Sequence, residues 1–177
     1  MSFLKEKKGI GVIICRMQVP KLTESHKKMI LTVCERHQRI VIFLGTTNKP
    51  IDKKNPFPFE FRKEMILETT FAVSAVESLH TFNILPLPDN KNNKKWVNNL
   101  DTMIQSFLAA KEEAILYGGR DSFIPYYKKD GGKFECSELA AEDYDSGTEL
   151  RALAAIKLPE YSEDVANSIL WTLNQIL

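Results

Sequence analysis

At 177 residues and 20.2 kDa the chain has room for one ordinary globular domain, and its 44% hydrophobic and 27% charged residues exclude a disordered, collagen-like or disulfide-scaffold protein. A formal net charge of +1 supplies no global field for nucleic acid or an anionic membrane. The opening residues MSFLKEKK are too charged for a signal peptide, and no apolar run approaches the roughly 20 residues of a membrane span, so the expectation is a cytoplasmic protein with neither of those partners.

Residues 10–17 (IGVIICRM) form a nearly continuous β-branched apolar run, the pattern of a strand buried on both faces. Residues 24–38 follow with Met29, Ile30, Val33 and Cys34 at helical spacing, and residues 39–45 (RIVIFLG) read as a second buried strand, completing a β-α-β unit. The alternation continues with a helix over 60–77, a strand over 81–87, a helix over 96–111, a strand over 113–118 and a weaker strand over 133–138. Such alternation predicts an α/β fold: a doubly wound parallel sheet, Rossmann-like, built as a single domain over 1–177. Ligands in such sheets bind at the carboxyl ends of the strands, which directs attention to the segments after Met17, Gly45, Leu87 and Gly118.

Charge is unevenly spread along this order. Residues 1–66 hold 14 Lys and Arg against 6 Asp and Glu, while residues 67–177 hold 10 against 17. A local basic excess suits an anion such as a polyphosphate, and equally suits differently charged surface helices. Cys15, Cys34 and Cys136 are odd in number and too widely spaced for a zinc site or a C-x-x-C pair, so they read as reduced, buried thiols.

Three segments carry chemistry. Residues 16–26 (RMQVPKLTESH) leave the first strand and enter the first helix, whose N-terminal N–H groups and positive dipole end suit a phosphate. Thr23 and His26, three apart, can both face it; alternatively Thr23 is a plain N-cap and His26 a surface residue. Residues 145–151 (DSGTELR) form a second loop-to-helix start, with Ser146 or Thr148 as cap and Arg151 one turn in, within reach of an anion there. Asp89, Asn93 and Trp96 follow the third strand at relative positions 0, +4 and +7. They offer an aromatic face, a carboxylate and an amide for a planar amide-bearing ring and its ribose; the competing account makes Trp96 the first core residue of its helix.

Taken in order, Arg16-Met17-Gln18, Thr23 to His26, Leu44-Gly45, Lys54-Asn55-Pro56-Phe57 with Arg62, Asp89/Asn93/Trp96, Tyr117-Gly118-Gly119 and Ser146 to Arg151 resemble the nicotinamide mononucleotide adenylyltransferases. The likeness is to the archaeal-type group, also found fused to Nudix domains, within the HxGH nucleotidyltransferase superfamily. It implies an adenine nucleotide α-hydrolase-like fold and an enzyme that transfers AMP from magnesium-bound ATP to nicotinamide mononucleotide, releasing pyrophosphate. By that resemblance His26, Thr23, Arg16 and Arg151 are catalytic, and Gln18, Lys54, Gly118, Ser146 and Thr148 bind ATP. Arg120, just beyond the fourth strand, is a further candidate nucleotide contact, and Asp89, Asn93 and Trp96 take the nicotinamide nucleotide. Homo-oligomers are usual in the group.

Thr23-Glu24-Ser25-His26 replaces the group's usual His-x-Gly-His; threonine in the first place is shared with the phosphopantetheine adenylyltransferases, whereas Ser25 puts a side chain where glycine admits close approach. Ala152 and Leu153 follow Arg151 where further arginines are common. These departures leave two other readings open: transfer to another phosphorylated acceptor, or a nucleotide-binding protein without turnover. Asp143 and Asp145 read as solvated turn residues rather than a metal pair, and His37 and His80, at helix ends, are assigned no chemistry.

Overall fold

The computed structural model describes residues 9–47, 52, 54–77, 80–119 and 122–139. Its elements run β1 (Ile10–Cys15), α1 (Glu24–Arg36), β2 (Arg39–Thr46), α2 (Phe59–Glu77), β3 (Thr81–Pro88), α3 (Asn93–Gln105), β4 (Ala114–Gly118), α4 (Ile124–Lys129) and β5 (Glu135–Glu138). The five strands form one parallel sheet in the order β3-β2-β1-β4-β5. The chain therefore builds outward from β1 in one direction and then reverses, which places the switch point between β1 and β4 and bears out the doubly wound arrangement.

Side chains of the central strands alternate between two cores. Val12, Ile14, Val41, Phe43 and Leu116 pack with Val97, Leu100 and Ile104 of α3 and Tyr127 of α4. On the opposite face Ile13, Ile40, Ile42 and Leu44 pack with Ile30, Val33 and Cys34 of α1 and Ile66 of α2. Each fully buried aliphatic side chain contributes roughly 1.5–3 kcal/mol, and it is this two-sided burial that makes the strands read as unbroken apolar runs. β3 differs: it is an edge strand, with exposed Pro86 and Pro88 paired to Leu44 and Thr46 of β2, and prolines there deny a further strand its partners. Among the described residues no helix is long and apolar enough to cross a membrane.

Several boundaries depart from the sequence reading for local reasons. β1 ends at Cys15 instead of Met17, because Met17 turns to a left-handed φ of 45°. α1 ends at Arg36, where His37 becomes an extended C-cap; its ring bridges the Gly9 carbonyl and the Tyr117 hydroxyl, the latter at 2.8 Å. α3 starts at Asn93, not Trp96, because the Asn92 side chain accepts the Lys95 N–H at 3.0 Å. It also stops at Gln105, short of Lys111: the Glu112 carboxylate accepts the Ala109 N–H at 2.9 Å and pairs with Arg39 across the sheet's lower edge. The six-residue α4 has no counterpart in the sequence reading; Pro125 in its first turn and Gly131 just past its end are its local signals.

Candidate functional site

Beyond Cys15 the chain bends sharply. Met17 is 3% exposed and holds the positive φ of 45° that non-glycine residues avoid, a strain of about 1–3 kcal/mol of the kind that collects at functional sites. The bend leaves Arg16 exposed and Gln18 buried. Arg16 then crosses the end of β2 directly over Gly45, where a Cβ would stand 3.3 Å from Arg16 Cγ. Its Nη2 donates to both carboxylate oxygens of Asp89 at 2.8 Å, and its Nη1 to Asn55 Oδ1 at 3.2 Å. Asn55 is placed by Asp52, whose Oδ1 accepts the N–H groups of Lys54 and Asn55 at 2.8 and 2.7 Å. Residues following β1, β2 and β3 thus meet around one guanidinium. With Arg16 and Asp89 side chains 49% and 39% exposed, their pairing is worth about 1 kcal/mol at most, so a multiply charged anion can take Arg16 from it.

The start of α1 is a reciprocal cap. Thr23 Oγ1 accepts the His26 N–H at 3.2 Å, and His26 Nδ1 accepts the Thr23 N–H at 3.3 Å and lies 2.9 Å from the Thr23 hydroxyl. An Nδ1 that accepts from a backbone N–H bears no proton, so the neutral ring carries its hydrogen on Nε2. Burial lowers the His26 pKa from its ordinary 6.5, which keeps that neutral tautomer at physiological pH. The two readings of Thr23 and His26 are therefore not exclusive: the cap itself fixes the ring as an Nε2–H donor at a helix N-terminus.

Other sequence candidates take different places. Gln18, 4% exposed, is committed to the loop before α2, with its amide nitrogen donating to the Phe57 carbonyl at 3.1 Å and its oxygen accepting the Phe57 N–H at 3.0 Å. Through this pair it shapes the 54–58 segment that carries Lys54. Lys54 is exposed on that segment. Gly118 is required by the chain's own packing, since a Cβ there would stand 2.7 Å from Ser122. Asn93 is exposed on the first turn of α3, and Trp96 is half-buried, packed on the core and tilted against Phe123 with ring centroids 6.1 Å apart. Arg120, Ser146, Thr148 and Arg151 lie outside the described residues.

Sequence reasoning gave no role to Arg62. It is 2% exposed, the largest fully buried side chain in the described residues, and it bonds the carbonyls of Arg16 (2.6 Å), Gly45 (3.1 Å) and Pro58 (3.4 Å). A signal did exist: Arg62 falls in register with buried Ile66 and Thr70 at four-residue spacing, a cation on the inward stripe of α2.

The open parallel sheet, the strained turn after β1 and the capped helix facing the switch-point end define a Rossmann-like α/β protein whose candidate site lies where such sheets take their ligands. No family model matches the chain. Its relatives in sequence are nicotinamide-nucleotide adenylyltransferases: it is 23% identical over 141 residues to that of Pyrococcus furiosus, covering 80% of this chain and 70% of the relative. It is 27% identical over 105 residues to the nicotinamide/nicotinic acid mononucleotide adenylyltransferase of Acinetobacter baylyi, covering 59% and 54%. Among solved structures, the fold matches a bifunctional NMN adenylyltransferase/ADP ribose pyrophosphatase from Francisella tularensis with a TM-score of 0.70 at 23% identity, over 82% of this chain and 42% of that one. The chain thus spans less than half of that two-function protein and just over half of the Acinetobacter relative.

Proposed function

We propose that this chain transfers the adenylyl group of ATP to nicotinamide mononucleotide, forming NAD and releasing pyrophosphate. The observation that carries the reading is the Thr23–His26 cap, which presents a fixed Nε2–H donor at the switch-point end of the sheet, where parallel sheets of this kind take ligands. A phosphate oxygen of the acceptor attacks the α-phosphorus; a P–O bond forms there as the bond to the β-phosphate's bridging oxygen breaks, and pyrophosphate leaves with the electron pair. The protein needs no nucleophile of its own. Its task is alignment and stabilisation of charge on the transferring phosphorus and the leaving group.

In this scheme His26 Nε2–H donates to an α- or β-phosphate oxygen, and Arg16 and Lys54 neutralise the triphosphate, with Arg151, Ser146, Thr148 and Arg120 as further contacts. Asp89, Asn93 and Trp96 take the nicotinamide nucleoside, so the Arg16–Asp89 pair joins the two halves of the site. Magnesium enters as part of the substrate, carried on phosphate oxygens and water. Among the described residues no group of three His, Cys, Asp or Glu side chains is gathered to hold a metal ion.

The test is pyrophosphate release from ATP and magnesium with nicotinamide mononucleotide, nicotinate mononucleotide or phosphopantetheine as acceptor. Release with a pyridine nucleotide is expected; ATP binding without release from any acceptor overturns the reading. Trp96→Ala is expected to raise KM for the acceptor about tenfold and leave that for ATP within about twofold, the mark of lost uniform binding. Equal changes for both substrates would make Trp96 a core residue only.

Ser25, in the first turn of α1, favours a second reading, nucleotide binding with little turnover. Ser25→Gly separates the two. If the side chain crowds the triphosphate, the substitution raises kcat several-fold, at a cost of about 0.5–1 kcal/mol to the helix. An unchanged kcat in an active enzyme discards the crowding argument.

A further inference from the structure

We infer that Arg62 is the positioning residue for Arg16, a role resting on the proposed use of Arg16 as a phosphate ligand. A guanidinium buried to 2% exposure is costly unless its donors are satisfied, and Arg62 spends three hydrogen bonds on main-chain carbonyls. Those carbonyls are not a random set. The Pro58 carbonyl anchors the side chain to the start of its own helix, while Nη1 ties Arg16, just past β1, to Gly45, near the end of β2, at 2.6 and 3.1 Å. These are the two residues whose spacing sets the path of the Arg16 side chain, because Arg16 Cγ lies over Gly45 where a Cβ would stand only 3.3 Å away.

The single nitrogen Nη1 therefore fixes the main chain of Arg16 against the residue its side chain crosses, while Nε holds the guanidinium to the Pro58 carbonyl. That fixed start aims the Arg16 guanidinium at the point where Asn55 and Asp89 meet it. It also supports the left-handed turn at Met17, since the Arg16 carbonyl is the acceptor immediately before it. A lysine reproduces this poorly: its ammonium can reach a carbonyl but ends a flexible stem that has no counterpart of Nε to anchor it to the Pro58 carbonyl. Arg62 touches neither proposed substrate in this scheme. Its cation adds to the basic character of the site only from behind the main chain.

The experiment is a kinetic double-mutant cycle on the full chain with Arg62→Lys and Arg16→Ala. Arg62→Lys is expected to lower kcat about tenfold or more with acceptor KM little changed, as misplacement of one aligning group does. In the Arg16→Ala background the same substitution should change kcat less than about twofold, since what it positions is gone. Equal losses in both backgrounds mean that Arg62 is merely structural and overturn the inference. A second readout does not depend on turnover: the side-chain Nε–H resonance of Arg16, ordered by Asp89 and Asn55 in the unsubstituted chain, should sharpen toward a mobile arginine in Arg62→Lys. An unchanged Arg16 resonance also overturns the inference, whereas a chain that makes no dinucleotide yet shows this change overturns only the catalytic reading.

Discussion

His26→Ala should lower kcat for dinucleotide formation at least about 100-fold with the fold intact, because removing one preorganised donor to developing phosphate charge costs about 3 kcal/mol. The structural price is small by comparison. His26 sits at the third position of α1, and the ring's part in the cap is to accept the Thr23 N–H, a contribution of about 0.5–2 kcal/mol typical of helix caps. The Thr23 hydroxyl loses its ring partner but keeps the backbone N–H of residue 26. Thermal denaturation should therefore shift by a few degrees at most while turnover collapses.

The pH dependence follows from the same contacts. The folded-state pKa of His26 lies below its unfolded value of about 6.5, so the neutral ring's contribution to stability is complete above that value and is lost as pH falls below it. Protonating Nδ1 also sets it against the Thr23 N–H and breaks the reciprocal cap. Turnover should accordingly stay level between about pH 8 and 6.5 and fall on the acid side, with that acid limb altered in Thr23→Val. Turnover unaffected by His26→Ala would remove the ring from the chemistry altogether.

What the sequence made legible was governed by periodicity and local capping. Two-sided burial produces unbroken apolar runs, so β1, β2 and β4 and their parallel arrangement are readable, and the hydroxyl-x-x-His pattern marks the start of α1. Contacts between distant segments left no such trace. Nothing local says that Asn55 meets Arg16 across 39 positions, that the Gln18 amide pairs with the Phe57 backbone, or that Arg62 reaches back to the end of β1. The same holds for where α3 stops: helix propensity continues to Lys111, and the ending is imposed by Glu112, which is held by Arg39 from another strand.

Tyr127→Phe should destabilise the protein by about 3 kcal/mol, the other large effect expected, although Tyr127 lies in a helix the sequence did not reveal. Asp101 on α3 is 4% exposed and Tyr127 on α4 is 0% exposed, and the phenol donates to Asp101 Oδ1. The other carboxylate oxygen accepts the Lys133 N–H at 3.3 Å, and the phenol oxygen accepts the Phe134 N–H at 3.1 Å. One buried pair thus fastens α3 and α4 to the chain entering β5. Phenylalanine fills the same space but strips a buried carboxylate of its best donor and leaves the Phe134 N–H without its acceptor. Hydrogen bonds to charged groups are worth about 1.5–3 kcal/mol, and an orphaned half-buried donor adds to that loss.

Asp101→Ala should cost a similar amount, and the double substitution less than the sum, because both single changes break the same link. Urea denaturation with an unchanged m-value is the measurement. Burial, with Asp101 second, raises the Tyr127 pKa well above its ordinary value, so its contribution is complete below about pH 10 and lost as pH rises through the folded-state value. Stability of the unsubstituted protein should therefore fall more steeply above pH 10 than that of Tyr127→Phe. The link also bears on the acceptor side of the site. Phe123 packs edge-on against Tyr127 at 5.9 Å and tilted against Trp96 at 6.1 Å, so an α4 freed from Asp101 withdraws support from the ring proposed to hold the nicotinamide. A fall in stability below about 0.5 kcal/mol would mean that water takes the place of the phenol at Asp101.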